Sequence, residues 1–297
     1  MSFVETLSTK GSDNFFVPLS GAILAYLMLG FKGDQIYQFL LGEGLAIVTA
    51  ILSYHFRFLS LSGSIMVFVL ASLIFGLGAW MWSVPILAFF VLSSLLSKTG
   101  KQVKQRFKDT FEKSGVRDHA QVLANGGIGG VLIILNASYP NFFWFKLYLL
   151  SLMISTADTW STELGVLSNS KPRLITNFKR VEPGVSGAIS LMGTLGGFLG
   201  SSIILWSGLF FIHLNLNTIF WLLGFSVIGN FLDSLMGATV QGQYQCMICE
   251  KYTEKKIHCS QPTKIISGFR LIGNDTVNLF SNLFSLILFV AIQNFPF

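Results

Sequence analysis

The chain has 297 residues, 52% of them hydrophobic and only 11% charged, with a net charge of +6 and a mean hydropathy of +0.63. This composition excludes a soluble globular protein, whose sequence is typically about 25% charged. Apolar segments of about 17–25 residues recur along the chain, and each is long enough to cross the hydrocarbon core of a bilayer. We therefore expect an all-α, multi-pass membrane helix bundle, with residues 1–297 forming a single integral membrane domain.

The apolar segments give nine candidate spans in chain order. They cover residues 15–31, 36–56, 63–81, 83–97, 120–137, 142–160, 184–212, 217–240 and 276–295. The segments 83–97 and 120–137 are short enough to be half-helices or re-entrant pieces, so we expect about seven to nine transmembrane or re-entrant helices. Glycines at small-xxx-small spacing, such as Gly193 with Gly197, predict helices that pack closely.

Three predicted loops carry most of the positive charge, and they cover residues 98–117, 168–182 and 242–272. Two spans separate each loop from the next, so all three lie on the same side of the membrane in this topology. Positively charged loops tend to stay in the cytoplasm, and we expect this side to be cytoplasmic. Attraction to anionic lipid headgroups is an alternative role for the individual lysines.

Carboxylates stand at the span ends that this topology places on the cytoplasmic side, for example in the stretch "ADTWSTELG" at the end of span 142–160. The candidate catalytic residues are Asp158, Glu163, Asp233 and Asp275. An acid in a membrane segment is costly, so it indicates a function. Sites with few carboxylates and several retained waters suit Mg²⁺. The acids therefore predict a magnesium site, with Asp158, Asp233 and Asp275 as ligands.

Basic and amide side chains share the same predicted face. The candidates for binding substrate or phosphate are Lys98, Arg117, Asn125, Arg173, Lys264 and Asn274. Arginine grips phosphate oxygens with two parallel hydrogen bonds and lysine acts as a point charge, so this mixture with acids indicates phosphoryl or nucleotidyl transfer. Each acid alone has alternative structural roles as a helix cap or in a salt bridge, and the hypothesis depends on the set as a whole.

All three cysteines of the chain lie in the predicted loop 242–272, which forms a small Cys/His subregion. The candidate zinc ligands there are Cys246, Cys249, His258 and Cys259. A cytoplasmic loop disfavours disulfides, and the Cys-x2-Cys pair is a good half-site for a structural Zn²⁺. A reduced loop without metal is the alternative, because adjacent ligands at 258 and 259 strain the geometry.

The ordered motifs of the chain resemble those of one known family. They are "SSLLSKTGK", "QVLANGG", "ADTWSTELG", "PRLIT", "VEPGVSGAISLMGT", "DSLMGATVQ" and "NDTVN". In this order they resemble the transmembrane protein 19 family of integral membrane proteins, which includes plant phytyl-phosphate kinase. The resemblance covers nearly the whole chain, and the ordered set is more specific than any single motif.

The resemblance implies a membrane kinase, a phosphotransferase that converts an isoprenyl monophosphate, such as the phytyl or geranylgeranyl compound, to its diphosphate. It implies a nucleoside triphosphate donor, expected to be CTP, together with Mg²⁺, and membrane lipids but no nucleic acid as partners. The family motifs carry Asp158, Glu163, Asp233, Asn274, Asp275, Asn125 and Arg173 to the site.

The alternative function is a membrane transporter or flippase for a phosphorylated or lipid substrate. A transporter places its polar site near the bilayer midplane, between structural repeats. Here the motifs gather at one membrane face, which favours an enzyme.

Overall fold

The structure is a computed structural model that describes residues 33–100, 116–168 and 171–293. Its seven helices in these residues are α1 (Gly33–His55), α2 (Leu61–Lys98), α3 (His119–Ser138), α4 (Phe142–Leu167), α5 (Leu191–Leu209), α6 (Leu216–Thr239) and α7 (Asn274–Gln293). The predicted helical membrane fold is confirmed, with helices at eight of the nine predicted spans. The span 15–31 and most of the basic loop 98–117 lie outside the described residues.

The longest helix of the described chain, α2, contains a break. It has 38 residues, and Ala79 interrupts it with φ 51° and ψ −158°, outside the helical region. The two stretches on either side correspond to the predicted spans 63–81 and 83–97. The next helix, α3, has 20 residues, which is the length of a full crossing rather than of a half-helix.

The described chain forms two compact units. Residues up to 83 together with 116–148 make the first unit, and residues from 84 to 100 together with those from 149 onward make the second. The first unit has an aromatic core, in which the ring of Trp82 lies 4.6 Å from Tyr148 and 5.3 Å from Phe145. The Tyr148 hydroxyl donates a 2.6 Å hydrogen bond to the Trp82 carbonyl oxygen. The buried phenol therefore has a partner, as a buried polar group requires.

Six of the seven described helices are long and apolar enough to cross a membrane, and α4 is the exception. It is nevertheless the most deeply buried helix, since residues 149–157 all lie in the interior. A helix surrounded by protein does not have to be as apolar as one that faces lipid, so it can carry the polar groups of a site.

The second unit packs α5 onto α4 through glycines. A Cβ atom added at Gly193 would lie 2.8 Å from the backbone oxygen of Ser161, and one at Gly197 would lie 2.8 Å from that of Ala157. These distances are shorter than any ordinary contact, so only glycine allows the two backbones to come this close. The predicted close packing through the small-xxx-small glycines is confirmed.

The last helix, α7, is apolar on its outside and polar on its inside. Large apolar side chains at positions such as Phe280 and Phe284 are exposed. The buried face holds Ser281, Asn282 and Ser285, each at most 1% exposed. In lipid the hydrocarbon replaces water around the outer face, so the interior is where polar groups find partners.

The prediction for the end of span 142–160 was wrong. We expected the helix that carries Asp158 to end near residue 160, but α4 continues to Leu167. The polar stretch "STELG" ends the apolar pattern without ending the helix, because Leu164 lies beneath Gly196 and Val166 is buried. Asp158 therefore lies inside the helix, and Glu163 lies in its last two turns.

The predicted span 184–212 begins too early. Gly184 and Gly187 have φ of 90° and 77°, which is incompatible with a helix, and Ser190 caps α5 by accepting from the Gly193 N–H at 3.1 Å. The preceding residues form β2 (Ala188–Ile189), which pairs with β1 (Arg173–Leu174) in an antiparallel arrangement. At Gly187 a Cβ would also meet the α6 backbone at Ser234 O, 2.6 Å away.

The Cys/His subregion folds into short strands that were not predicted. They are β3 (Gln243–Gln245), β4 (Tyr252–Thr253), β5 (Ile257–His258), β6 (Gln261–Pro262) and β7 (Lys264–Ser267). The central strand β3 pairs with β4 and β7, and β5 pairs with β6 in a separate hairpin. Strands of two to four residues are too short to show a period of two in the sequence.

The glycine contact between α4 and α5 predicts a specific cost of substitution. We expect Gly197→Ala to destabilise the protein by about 1–3 kcal/mol, because the new methyl group overpacks the contact with Ala157 O. Gly224 is a matched control on α6, since an added Cβ there would meet nothing within 4 Å. Thermal unfolding of both variants in one detergent measures the difference, and equal melting temperatures would contradict the packing described.

Candidate functional site

A pair of aspartates lies inside the second unit. The carboxyl groups of Asp158 on α4 and Asp233 on α6 are within hydrogen-bonding reach of each other. Asp233 is buried, with 8% of its surface exposed, and Asp158 is half-buried. At 1.5 Å rise per residue, the pair lies roughly 9–14 Å inside the ends of the two helices. We call Asp158 and Asp233 the aspartate pair.

Helix α7 completes the surroundings of the aspartate pair. The hydroxyl of Ser281 donates to Oδ2 of Asp233 at 2.9 Å. With its amide nitrogen turned towards Asp233, Asn278 donates to the same oxygen at 3.0 Å and to the Asn274 carbonyl at 3.1 Å. Three helices that are far apart in the sequence therefore converge on one carboxylate.

Further polar groups of the same unit are hydrogen-bonded between the helices. Ser161 donates to Oδ1 of Asn230 at 3.0 Å, and Nδ2 of Asn282 donates to the Ser151 carbonyl and the Ser155 hydroxyl at 3.0 and 3.1 Å. Such bonds rigidify a bundle interior, because an unpaired polar group there is costly. These bonds join α4, which carries Asp158, to α6 and to α7.

Sequence reasoning missed the residues that surround the pair. They are Asn230, Asn278, Ser281 and Asn282, together with Ser151 and Ser155. A signal was present, because polar residues recur three or four positions apart on each helix, as at 151, 155 and 158 on α4 or 226, 230 and 233 on α6. In otherwise apolar helices this spacing indicates a polar inner face.

The aspartate pair has the chemistry of a cation site. Two carboxylates in contact repel each other unless a proton or a cation lies between them. The groups around them offer carboxylate, amide and hydroxyl oxygens, which are the hard ligands that Mg²⁺ prefers. The residues present therefore fit a magnesium ion, for which Asp158 and Asp233 would be carboxylate ligands.

The other predicted acids and amides of the second unit lie at the same end of these helices. Glu163 is half-buried on α4, five residues beyond Asp158. Asn274 and Asp275 form the first turn of α7, one turn before Asn278. Helical geometry thus places Asn274 and Asp275 between the aspartate pair and the outer end of the helix.

The predicted cations of the second unit lie at the outer ends of its elements. Lys98 is the last residue of α2 and is half-buried. Arg173 is exposed in β1, where Nη1 donates to the Phe178 carbonyl at 3.0 Å. Lys264 is exposed at the start of β7. Exposed cations of this kind are available to an anionic ligand that approaches from the surface.

Two predicted phosphate-binding residues belong to the first unit. Arg117 accepts from Ser60 N at 3.0 Å through its backbone oxygen, next to the start of α3. The side-chain amide of Asn125 donates to the Gln121 carbonyl at 2.9 Å within α3. Their part in a site with the aspartate pair stays a prediction.

A further carboxylate, Glu254, was missed by sequence reasoning. Its Oε1 accepts a 2.9 Å hydrogen bond from Nε2 of Gln241, and Oε1 of Gln241 accepts from the Ser186 hydroxyl at 2.7 Å. The charge of Glu254 is near enough to Asp233 to interact with it electrostatically. The buried Gln241 thus links Glu254 to the end of α6 and to the segment before β2. No sequence pattern in this polar loop distinguishes Glu254 from its other charged residues.

The four predicted zinc ligands come together. One ligand atom from each of Cys246, Cys249, His258 and Cys259 lies within 4.8 Å of all the others. Cys246 is buried and the remaining members are exposed or half-buried. The backbone N–H groups of Cys249 and Ile248 lower the pKa of the Cys246 thiol to about 6. That thiol is therefore readily deprotonated, which is the form that binds metal.

Comparisons with known proteins agree with a membrane family. The family model described as integral membrane protein DUF92 matches residues 44–286. Protein PGR of Arabidopsis thaliana is 32% identical over 259 residues, which cover 77% of this chain and 87% of the relative. An uncharacterized membrane protein of Methanocaldococcus jannaschii, MJ0933, is 42% identical over 52% of this chain and 62% of its own length.

A more distant relative is the chloroplastic protein VTE6 of Arabidopsis thaliana. It is 25% identical over 243 residues, which cover 80% of this chain and 66% of the relative. No solved structure matches the chain.

The aspartate pair predicts that magnesium stabilises the folded protein. We expect Mg²⁺ to raise the melting temperature of the purified protein, since an ion at a hundred times its dissociation constant contributes about 2.7 kcal/mol. Asp158→Asn and Asp233→Asn should abolish this increase without lowering the stability measured in EDTA, because an amide removes the repulsion between the carboxylates.

The matched control is Asp34→Asn, which removes an exposed carboxylate at the start of α1. It should keep the full response to Mg²⁺. A wild-type response in both variants of the aspartate pair would show that the pair does not bind the ion.

Proposed function

The chain belongs to the DUF92 family of integral membrane proteins, and from this membership and its aspartate pair we propose that it is a membrane isoprenyl-phosphate kinase. In this proposal it converts an isoprenyl monophosphate to the diphosphate, with CTP as the phosphoryl donor and Mg²⁺ as the cofactor. The observation that carries the proposal is the placement of Asp158 and Asp233, in contact with each other and about two turns inside the helix ends.

The depth of the aspartate pair suits an amphiphilic substrate. An isoprenyl phosphate keeps its hydrocarbon tail in the bilayer and its phosphate at the membrane surface. A cation site just inside the helix ends meets that phosphate without drawing the tail into water. The exposed cations at Arg173 and Lys264 belong to the connecting segments at the same ends of α4, α6 and α7, where a nucleoside triphosphate from the aqueous phase arrives.

The proposed reaction needs little acid–base chemistry from the protein. An oxygen of the isoprenyl phosphate attacks the γ-phosphorus of the donor, the bond from that phosphorus to the β,γ-bridging oxygen breaks, and the nucleoside diphosphate leaves. The attacking oxygen is already anionic, so no proton has to be removed from it. Positioning and charge neutralisation are therefore the main requirements.

The residues of the chain divide these tasks in the proposal. Asp158 and Asp233 would hold the magnesium ion, which supplies neutralising charge to phosphate oxygens. Ser281 and Asn278 orient Asp233 through their hydrogen bonds at 2.9 and 3.0 Å. Both donors bind Oδ2 of Asp233, and they thereby fix the orientation of Oδ1.

The remaining candidates have roles nearer the surface. Arg173 and Lys264 would bind the phosphates of the donor, and Lys98 would assist from the end of α2. Asp275 and Asn274 would bind water around the ion, and Glu163 would do so from α4. The three basic segments set the proposed orientation of the protein in the membrane. In this orientation the end of the bundle that holds the aspartate pair faces the cytoplasm, where nucleoside triphosphates are present.

The proposal is tested by direct assay of the purified protein. Given phytyl or geranylgeranyl monophosphate, CTP labelled at the γ-phosphorus and Mg²⁺, the protein should form labelled isoprenyl diphosphate. CTP should be preferred when ATP, GTP and UTP are compared under the same conditions. Asp158→Asn and Asp233→Asn should each lower turnover about 100-fold, as expected for the loss of an electrostatic element.

The control variant for this assay is Glu182→Gln. The Glu182 side chain is 74% exposed and lies 3.7 Å from Lys171 Nζ, so the substitution removes a surface carboxylate of the second unit. Its turnover should equal that of the wild type. Absence of diphosphate with every nucleotide would overturn the kinase proposal, and movement of the lipid phosphate across proteoliposomes without nucleotide would favour the transporter alternative.

A further inference from the structure

The Cys/His cluster has the dimensions of a tetrahedral metal site. Zinc lies about 2.3 Å from sulfur and about 2.0–2.1 Å from nitrogen, so tetrahedral ligands are separated by about 3.8 Å for two sulfurs and about 3.6 Å for sulfur and nitrogen. The Sγ atoms of Cys249 and Cys259 are 3.9 Å apart, and Nδ1 of His258 lies 3.6 and 3.2 Å from them. All four ligand atoms fall within 4.8 Å of one another.

The backbone presents the ligands as two turns that face each other. Cys246 and Cys249 lie in the turn between β3 and β4, and the Ile248 N–H points at the Cys246 sulfur from 3.4 Å. His258 ends β5 and Cys259 follows it in the two-residue turn to β6. Cys259 and the residue after it have φ of 48° and 59°. A turn with two positive φ values bends sharply, and it lets the adjacent side chains of His258 and Cys259 meet at one point.

We propose that Cys246, Cys249, His258 and Cys259 bind one structural Zn²⁺, and that this ion fixes Glu254 against Gln241, just after the end of the helix that carries Asp233. Zinc-binding follows from the cluster alone and does not depend on the kinase reaction. The role of Glu254 near Asp233 rests on the proposed function.

The position of Glu254 in the chain explains the connection. The two ligand pairs bracket a loop of eight residues between Cys249 and His258, and Glu254 lies in this loop. A metal ion that joins the two pairs closes the loop and removes much of its conformational freedom. The loop is tied further by Thr263, whose hydroxyl donates to the Lys255 carbonyl at 2.8 Å.

The closed loop holds the Glu254 carboxylate against Gln241, just after the end of α6. Glu254 accepts from Gln241 at 2.9 Å, and Gln241 is 2% exposed at the end of α6. Asp233 lies eight residues before Gln241 in the chain, within electrostatic range of the Glu254 charge. In the proposal Glu254 adds negative charge near the end of α6 and so raises the affinity of the aspartate pair for a divalent cation.

The metal content of the purified protein tests the first part. Protein prepared without chelator should contain about one zinc per chain by elemental analysis, as for a closed Cys₃His site. Replacement of zinc by Co²⁺ should give the near-ultraviolet absorption of cobalt–thiolate bonds. Cys249→Ser and His258→Asn should lose the metal, whereas His213→Asn, which removes an exposed histidine outside the cluster, should keep it.

Limited proteolysis provides a readout on the wild-type protein itself. Lys255 and Lys256 lie in the bracketed loop, so removal of zinc by a strong chelator should make tryptic cleavage there faster, and added Zn²⁺ should reverse it. The proposal would be overturned if the purified protein contained no zinc and trypsin cleaved the loop at the same rate before and after chelation. The loop would then carry free thiols.

The role of Glu254 is separated from the zinc site by one further variant. Glu254→Gln should keep its zinc but need about 10–100-fold more Mg²⁺ for half of the maximal thermal stabilisation or diphosphate formation, with partial recovery in Glu254→Asp. An unchanged Mg²⁺ requirement would reject this role. If the kinase proposal fails, the zinc content still tests the Cys/His site, and the thermal stabilisation by Mg²⁺ still tests the role of Glu254.

Discussion

The contact between two carboxyl groups inside an apolar bundle is the constraint that organises the second unit. Two such groups cannot remain together in lipid unless protein donors and a cation or a shared proton satisfy them. Helix α7 supplies donors from its inward-facing polar side, where Ser281 and Asn278 donate hydrogen bonds to Asp233. The glycines of α5 let that helix pack closely against α4 on both sides of Asp158 in the sequence, at Ala157 and Ser161.

Much of this architecture could be predicted from the sequence, and the reasons for the rest are physical. The spans follow from hydrophobic length, which a bilayer imposes directly. The end of α4 at Leu167 and the start of α5 at Leu191 do not, since polar helical turns and glycine-rich turns look alike in a hydropathy pattern. The aspartates stood out because charge is rare in lipid. Glu254 depends on a tertiary contact with Gln241 that no local pattern encodes.

The unit would thus combine two kinds of metal chemistry at neighbouring positions. The aspartate pair offers hard oxygen ligands from helices, and the Cys/His cluster offers soft sulfur and nitrogen ligands from tight turns. Ligand softness separates the ions that such sites prefer, so a magnesium site and a zinc site can coexist without exchange. The buried amide of Gln241 lies between the two regions of the chain, because it bonds Glu254 of the loop that the Cys/His ligands bracket and Ser186 of the segment before β2.

The interior position of α4 has a consequence for how the protein is made. The Ser151 carbonyl and the Ser155 hydroxyl accept from Asn282, which follows 131 and 127 residues later in the chain. At a translation rate of about 5–20 residues per second, that partner emerges from the ribosome roughly 6–26 s after α4. During this interval the polar groups of α4 at Ser151 and Ser155 lack the amide donor of Asn282. The polar contact between α4 and α7 therefore forms only after α5 and α6 have been synthesised.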